Sequence, residues 1–290
     1  MPDPLRLRAA ELTVDLAPAI GGSIARFDCG AFPVMRPAPE GLASPLDAAC
    51  FPLVPFCNRI RGGHFAFRGR TVSLARNMAG EQSPLHGQGW SASWTIEHKG
   101  AAEADLRFIH DPGEWPWAYE ARQQFALDAE GLAVRLGCRN LSGEPMPCGL
   151  GLHPYFPCTP TTRIDTKVSH VWTIDARVLP VDRIPATGRY DLADRPVCGQ
   201  GLDNGFDGWS GEAAIASPAM PFAILIRSPD AGRFQLYSPP SGGHFVAEPV
   251  THANSALNRP EAEWSALGIR ILDPGEEMAL NARFDVEVSA

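Results

Sequence analysis

Apolar and polar residues alternate with a period of two along most of this chain. In the segment 90–97, WSASWTIE, tryptophan, alanine and isoleucine occupy every second position, and serine, threonine and glutamate fill the positions between. Such alternation is typical of a β-strand that buries one face. We therefore predict a strand over 90–97. The same pattern over 277–288 predicts a last, long strand.

Turn-forming residues between alternating segments predict hairpins. Asp-Ala-Glu-Gly separates the apolar-alternating segments 119–127 and 132–136. HFAFRGRTVSL predicts a strand pair that bends at Gly69, and FAILIRSPDAGRFQLYSP predicts another hairpin around Pro-Asp-Ala-Gly. Helical periodicity is nearly absent, and short helices are expected only near SPLDAACF and EAEWSAL.

Composition favours one folded unit. The 290 residues are 44% hydrophobic and 20% charged, and the 28 glycines and 28 prolines are spread over the whole length. No repeat, low-complexity tract or linker divides the chain. The sequence thus predicts an all-β fold with few short helices, a large antiparallel β-sandwich formed as a single domain over 1–290.

Charge and cysteine usage exclude several classes of protein. A net charge of −8 argues against a nucleic-acid partner, because such binding needs clustered lysine and arginine. No apolar run approaches the ~20 residues that cross a bilayer, and the N-terminus lacks signal-peptide features, so we expect a cytoplasmic protein without a membrane partner. The seven cysteines form no C-x-x-C pair, which predicts reduced thiols, no disulfide framework and no zinc.

Two histidines have unusual surroundings. In MPCGLGLHPYFP, Leu150 and Leu152 lie on one side of a strand, so His153 points to the other side, and Pro154 then ends regular pairing. This position suits a cleft residue, although a half-buried histidine bonded to backbone is the alternative. His86 in SPLHGQGW lies in a loop between proline and glycines, and binding residues concentrate in such loops.

Acidic and basic candidates occur in three further segments. Glu248 shares a strand face with Val246 in GGHFVAEPVTHANSALN, where desolvation would raise its pKa and make it a better general base. The alternative is a buried structural partner of an arginine. Asp203 in QGLDNGFDGW is either a binding residue or part of an ordinary turn. In FPLVPFCNRIRG, Asn58 precedes Arg59, which either forks two hydrogen bonds to hydroxyls or carboxylates or satisfies loop carbonyls.

Taken in order, these segments resemble the aldose 1-epimerase, or galactose mutarotase, family. The similar motifs are NRIRGGHFAFRGRTVSLARN followed by LHG, then GLHPYF, LDNGF, FQLYSP and AEPVTHANSALN, between about residues 51 and 258. The resemblance implies a galactose mutarotase-like sandwich. It also implies an enzyme without cofactor or metal that interconverts the α and β anomers of a free aldose, a small-molecule sugar.

The resemblance assigns roles to the candidates. Glu248 takes the proton of the anomeric hydroxyl, His153 protonates the ring oxygen, and His86 hydrogen-bonds near that oxygen. Activity at neutral pH then requires a raised pKa of His153, which a neighbouring carboxylate can provide. The resemblance also implies that Arg59 and Asp203 hold hydroxyls and that Asn58 supports the binding loop. Independently of the resemblance, we expect Trp90 or Trp209 to stack on the sugar face.

Three other functions remain open from the sequence. A non-catalytic sugar-binding or sensor protein on the same fold is one alternative. The loop motif reads HGQGW where the family more commonly has a Gly-Gly run, which leaves the preferred aldose open. A hexose-6-phosphate 1-epimerase is a second alternative, although no additional basic cluster accompanies the motifs. A carbohydrate-cleaving enzyme would use Asp203 with Glu248 as its carboxylate pair. The sequence is compatible with a monomer or a homodimer.

Overall fold

Short antiparallel strands make up most of the molecule. A computed structural model of the protein describes residues 5–288, so both ends of the expected 1–290 domain lie outside the described part. In chain order the strands are β1 (Leu5–Ala9), β2 (Leu12–Ala17), β3 (Ser23–Cys29), β4 (Phe32–Pro33), β5 (Pro52–Leu53), β6 (His64–Phe67), β7 (Arg70–Ser73), β8 (Thr95–Lys99), β9 (Glu103–His110), β10 (Tyr119–Leu127), β11 (Gly131–Asn140), β12 (Met146–Cys148), β13 (Gly151–Leu152), β14 (Tyr155–Pro157), β15 (Arg163–Thr166), β16 (His170–Ile174), β17 (Pro180–Pro185), β18 (Arg195–Pro196), β19 (Leu202–Asp207), β20 (Glu212–Ala216), β21 (Phe222–Arg227), β22 (Arg233–Ser238), β23 (His244–Val250), β24 (Arg270–Leu272) and β25 (Glu277–Val288).

Helical structure is limited to single turns. The α-helix is α1 (Trp264–Leu267), and the 3-10 turns are Pro45–Asp47, Arg61–Gly63, Gly89–Ser91, Gly188–Tyr190, Ala256–Asn258 and Glu261–Glu263. The two segments that were expected to form short helices are therefore confirmed as helical turns, and other loops contain such turns as well. Within residues 5–288, no helix has the length and apolar character needed to span a membrane.

Two large sheets carry the architecture. One has nine strands in the order β18-β15-β20-β21-β25-β11-β10-β9-β8. The other has eight strands, in the order β17-β16-β19-β22-β23-β13-β5 with β14 paired to β23. A four-stranded sheet of β1 to β4 and the pairs β6-β7 and β12-β24 complete the described fold. The predicted all-β antiparallel sandwich is confirmed.

The core lies between the two large sheets. Phe156 of the eight-stranded sheet packs on Phe245 at 5.5 Å between ring centroids and on Phe284 of the nine-stranded sheet at 6.5 Å. All three are fully buried. Burial of each such side chain contributes about 1.5–3 kcal/mol to folding. The inner faces are therefore filled by apolar residues, and polar side chains of the eight-stranded sheet collect on its other face.

Alternation predicted the long strands correctly. β10 pairs with β11 from Tyr119 opposite Asn140 to Leu127 opposite Leu132, and β6 pairs with β7 around the bend at Gly69, which has a φ of +78°. The expected last strand is confirmed as β25.

The expected strand over 90–97 is wrong in its first half. Trp90 lies in the 3-10 turn Gly89–Ser91, and strand β8 begins only at Thr95. The indole N–H of Trp90 donates to the carbonyl of Leu85 at 3.1 Å, and that of Trp94 donates to the carbonyl of Gly89 at 2.9 Å. These bonds fold both side chains back over the preceding loop, so they are not presented on a strand face.

The expected hairpin over FAILIRSPDAGRFQLYSP is also wrong. β21 pairs with β20 and β25 in the nine-stranded sheet, whereas β22 pairs with β19 and β23 in the eight-stranded sheet. The turn crosses between the sheets because both strands direct their apolar residues into the shared core. Buried Ser228 anchors the start of the crossing by donating from Oγ to the carbonyl of Asn281 at 2.7 Å.

The cysteines differ from the expectation of reduced thiols. Cys158, after β14, and Cys198, after β18, form a disulfide with a Cα–Cα distance of 5.7 Å. The other five cysteines are free. This pairing depends on a contact between chain segments 40 residues apart, which the spacing of cysteines in the sequence does not reveal.

The disulfide gives a direct prediction for the unfolded protein. Alkylation in denaturant without reductant should modify five thiols per chain, and alkylation after reduction should modify seven. A crosslink that closes a loop of this length stabilises a protein by about 2–4 kcal/mol, so reductant should lower the melting temperature. The double variant Cys158→Ser/Cys198→Ser is the control and should not respond to reductant. Seven modified thiols without reductant would contradict the pairing.

Candidate active site

The open face of the eight-stranded sheet carries a row of polar side chains. Register sets Gln235 of β22 opposite Glu248 of β23, and sets Tyr237 opposite Asp203 of β19. Side chains of paired residues lie on the same face, so these four share one surface. Gln235 donates from Nε2 to Asp203 Oδ1 at 2.8 Å, which links two neighbouring strands directly above the sheet.

His153 meets Glu248 on this surface. His153 follows β13, and its amide donates to the carbonyl of Phe51 at 3.0 Å. Its ring stacks on the Phe51 ring with centroids 4.3 Å apart, and Nε2 lies 3.5 Å from Glu248 Oε1. Both side chains are largely buried, at 12% and 4% exposure. Within the described residues, Glu248 Oε2 and His153 Nδ1 are buried and have no hydrogen-bond partner, which is unusual for buried polar atoms.

His86 and Asn58 hold each other in place. The His86 amide donates to the Asn58 carbonyl at 3.0 Å, and the Asn58 amide donates to His86 Nδ1 at 3.1 Å. Because Nδ1 accepts, the neutral ring carries its proton on Nε2. Both residues have left-handed backbone, with φ of +60° and +57°, a strained conformation that clusters at functional sites. The His86 ring centroid is 5.5 Å from that of His153.

Arg59 is the cation of the cluster. Its Nη1 donates to Asn58 Oδ1 at 3.1 Å, and its Nε and Nη2 donate to Glu81 at 3.0 and 2.6 Å. The side chain is only 9% exposed. The predicted residues Glu248, His153, His86, Arg59, Asp203 and Asn58, drawn from distant parts of the sequence, thus lie in one cluster.

Burial changes the pKa of both carboxyl groups. Desolvation raises the pKa of Glu248 well above its ordinary value, the charge of Asp203 raises it further, and Arg59 opposes both effects. Burial also raises the pKa of Asp203, against the opposing influence of Arg59 and of the Gln235 hydrogen bond. The expectation that desolvation raises the pKa of Glu248 is therefore confirmed.

The histidines respond in the opposite direction. Desolvation lowers the pKa of His153 to about 3, with a smaller contribution from the charge of Arg36. Burial lowers the pKa of His86 well below its ordinary value. The charges of the neighbouring His153 and Arg59 make smaller contributions in the same direction. A raised pKa of His153 was expected from the neighbouring carboxylate, and this expectation is wrong because desolvation of the buried ring is the largest effect.

The two tryptophans that were candidates for sugar stacking are buried and do not lie on the open face of the sheet. Trp90 is buried, packs against Phe51 at 5.6 Å and meets the His86 ring edge-on at 6.1 Å, so it supports the site from beneath. Trp209 packs on Phe234 at 5.1 Å, on the core side of the sheet, and donates to Thr166 Oγ1 at 2.8 Å. The structure does not bring Trp209 into the cluster.

Three polar residues around the cluster escaped the sequence analysis. Gln235 lies within the FQLYSP motif, where its alternation with Tyr237 was the available signal. Glu81 comes from a loop without periodicity and gave no signal. His252 accepts from the Cys57 amide at 2.8 Å and so supports the Asn58 loop from behind. Its ring lies against Gly149, where a Cβ atom would approach to 2.0 Å, so a glycine is required there.

Over residues 5–288 no group of three or more histidine, cysteine, aspartate or glutamate side chains is arranged to hold a metal ion.

Comparison with known proteins relates the chain to a family. The family model for aldose 1-epimerase matches residues 6–285. The uncharacterised protein YphB of Escherichia coli K12 is 33% identical over 280 residues, which cover 92% of this chain and 93% of YphB. A crystal structure of a provisionally assigned aldose 1-epimerase from Escherichia coli K12 has a TM-score of 0.91 at 31% identity, covering 99% of each chain.

A more distant structure shares the fold. The galactose mutarotase-like protein from Clostridium acetobutylicum has a TM-score of 0.87 at 18% identity, and the match covers 98% of this chain and 95% of that protein. The match of the family model over nearly the whole described chain, together with the identity to YphB, establishes the relationship. The chain belongs to the aldose 1-epimerase family.

Proposed function

We propose that this protein is an aldose 1-epimerase that interconverts the α and β anomers of a free aldose, with Glu248 and His153 as its acid/base pair. Membership of the family supports a carbohydrate epimerase of the isomerase class. The observation that carries the mechanism is the 3.5 Å approach of His153 Nε2 to Glu248 Oε1, in a buried pair that keeps one unpartnered atom on each side chain.

Ring opening requires one base and one acid. Glu248 accepts the proton of the anomeric hydroxyl while the bond between the anomeric carbon and the ring oxygen breaks, and His153 gives a proton to that oxygen. The open-chain aldehyde rotates about the bond next to the carbonyl. Reclosure on the other face returns both protons, so the enzyme is unchanged. Each proton transfer contributes about 10²–10⁴-fold to the rate.

The pair shares one proton in its working state. Burial favours the neutral arrangement with the proton on Glu248, whereas the mechanism starts from carboxylate and imidazolium. The two arrangements contain the same number of protons and differ only in the proton's position. Hydrogen bonds from sugar hydroxyls to the carboxylate favour the charged arrangement. Substrate binding thus prepares the pair for catalysis.

The surrounding residues orient the sugar. Nε2–H of His86 donates to an oxygen close to the reacting ring oxygen, and free N–H groups of Arg59 donate to hydroxyls. Asp203, oriented by Gln235, accepts from hydroxyls. Asn58 supports both His86 and Arg59. Sugar binding without turnover is the competing hypothesis, and the unpartnered, buried carboxyl of Glu248 argues for catalysis because such a group reduces stability.

Polarimetry of freshly dissolved α-D-glucose and α-D-galactose tests the function. Wild type should speed the approach to anomeric equilibrium, and Glu248→Gln and His153→Asn should each lower kcat by about 10²–10⁴-fold, because each removes one proton-transfer group. The exposed residues His98 and Glu287 provide matched controls, and His98→Asn and Glu287→Gln should retain full activity. If wild type matched buffer with these sugars, pentoses and phosphorylated sugars, catalysis would be excluded and calorimetric sugar binding would be tested next.

The pH profile of kcat/KM tests the shared proton. The acid limb marks a second protonation of the pair, and the pKa of His153 is about 3, so activity should persist as pH falls through 6.5. The alkaline limb marks loss of the shared proton and should lie well above pH 4.5, the ordinary value of Glu248. Rates are measured from pH 4 to pH 9, with circular dichroism to verify folding. An acid limb near pH 6.5 is the result that contradicts this model.

Glu248→Gln should stabilise the protein although it lowers kcat. The folded protein binds the Glu248 proton more tightly than the unfolded chain does, so the unfolding free energy of wild type falls as pH rises above 4.5. The variant lacks this loss and should be more stable by about 1–3 kcal/mol at pH 8, with little difference at pH 4. Urea unfolding at both values measures the effect, with Glu287→Gln as control. Lower stability of Glu248→Gln at pH 8 would count against a desolvated carboxylate.

A further inference from the structure

A short loop beside the cluster carries a carboxylate that the mechanism does not use. This loop, residues 78–84, is closed at its neck by two hydrogen bonds: the Leu85 amide donates to Asn77 Oδ1 at 2.8 Å, and Asn77 Nδ2 donates to the Leu85 carbonyl at 2.7 Å. Met78 packs against the apolar cluster that contains Phe51 and Trp90. The hydrogen bonds between Asn77 and Leu85 therefore fix both ends of the 78–84 loop, and Glu81 lies in the middle of this loop.

Glu81 forms a two-point contact with Arg59. Nε of Arg59 donates to Oε2 at 3.0 Å and Nη2 donates to Oε1 at 2.6 Å. A paired fork of this kind fixes the plane of the guanidinium as well as its position. The contact is shielded from solvent, since the two side chains are 9% and 20% exposed, so it is stronger than a surface ion pair.

The donor inventory of Arg59 leaves room for a ligand. A guanidinium has five N–H donors. Glu81 takes two and Asn58 takes one. One N–H on Nη1 and one on Nη2 are left, in an orientation set by the three bonds already made. Glu81 therefore does not block Arg59.

The charge of Arg59 acts on the carboxyl groups of the active site. It favours the ionised forms of Asp203 and Glu248, and the charge of Glu81 acts on Asp203 in the opposite direction. The groups that face Glu248 are His153, Asp203 and Arg59, and the further titratable side chains near it are Cys50, Cys57 and Tyr155. In this set Arg59 is the positive charge that opposes desolvation of Glu248.

We propose that Glu81 is a positioning residue for Arg59: it holds the guanidinium with two N–H groups directed to sugar hydroxyls and offsets part of its charge at the Glu248–His153 pair. The sugar-binding part of this role rests on the proposed function, whereas the charge-offset part does not. The simpler role for Glu81 is to anchor the 78–84 loop, and the experiments are designed to separate the two.

Two substitutions divide the role into geometry and charge. Glu81→Gln keeps an acceptor for Arg59 and removes the negative charge, whereas Glu81→Ala removes both. Glu114 offers a matched control, because this exposed carboxylate accepts from the Ala75 amide at 2.8 Å, just before the loop, and makes no contact with Arg59. Glu114→Gln thus removes an exposed negative charge near the same loop, keeps an acceptor for the Ala75 amide and leaves the arginine unchanged.

Kinetics test the positioning of Arg59. Glu81→Ala should raise KM about tenfold and change kcat by less than about threefold, because it loosens a group that binds the sugar and leaves the acid/base pair in place. Glu81→Gln should raise KM less than Glu81→Ala, and Glu114→Gln should match wild type. An unchanged KM in Glu81→Ala, or an equal rise in Glu114→Gln, would overturn the positioning role. Thermal melts establish that each variant is folded.

Infrared titration tests the charge offset without any substrate. The carboxylic acid band that is lost in Glu248→Gln reports protonated Glu248. The midpoint of its pH titration should move to lower pH in Glu81→Gln. The shift should correspond to an increase of at least about threefold in the ionisation constant of Glu248. Glu114→Gln should leave the midpoint unchanged. A midpoint in Glu81→Gln that is equal to or above that of wild type would overturn the proposal. Because no sugar is added, this result stands even if wild type does not catalyse anomer exchange.

Discussion

Desolvation of the contact between Glu248 and His153 governs the rest of the active site. The two residues come from different strands, β23 and the end of β13, which are neighbours in the eight-stranded sheet. Phe51 covers one face of the imidazole, and its own position depends on Trp90 beneath it. Because water is displaced, the carboxyl group holds its proton and the imidazole loses its proton more readily than either would in solvent. Under the proposed function, the hydroxyl groups of the sugar supply hydrogen bonds at this point that solvent does not.

One face of the eight-stranded sheet packs in the rigid core, and the other face carries the polar side chains of the cluster. In β22 the buried apolar residues Phe234 and Leu236 fill the core and alternate with Gln235 and Tyr237 on the other face, so Phe234 supports the same strand that presents Gln235. Loops then complete the site from above, through Asn58, Arg59 and His86. A well-packed core is therefore the foundation on which an energetically unfavourable group such as buried Glu248 is tolerated.

Local patterns predicted those parts of the fold that depend on local interactions. Alternation identified β10, β11 and β25, because in these strands apolar residues are buried and the residues between them are mostly more exposed. It failed at Trp90, where indole hydrogen bonds to earlier carbonyls override the strand pattern, and at the turn after β21, where the same alternation fits either a hairpin or a crossing between sheets. The motifs identified most of the cluster. Glu81 and the disulfide depend on contacts between distant segments, and the pKa of His153 depends on burial, none of which is written in local sequence.

The reciprocal hydrogen bonds between Asn58 and His86 close the chain between them into a loop that begins and ends at the cluster. These residues are 28 positions apart, and the intervening chain includes the β6–β7 hairpin, which forms its own two-stranded sheet. Both ends of this loop are fixed at the cluster, and its hairpin is fixed elsewhere, because Phe65 and Phe67 are buried in the core and pack against Trp264. The segment that includes the guanidinium is therefore held at two places, by hydrogen bonds at the cluster and by aromatic packing in the core.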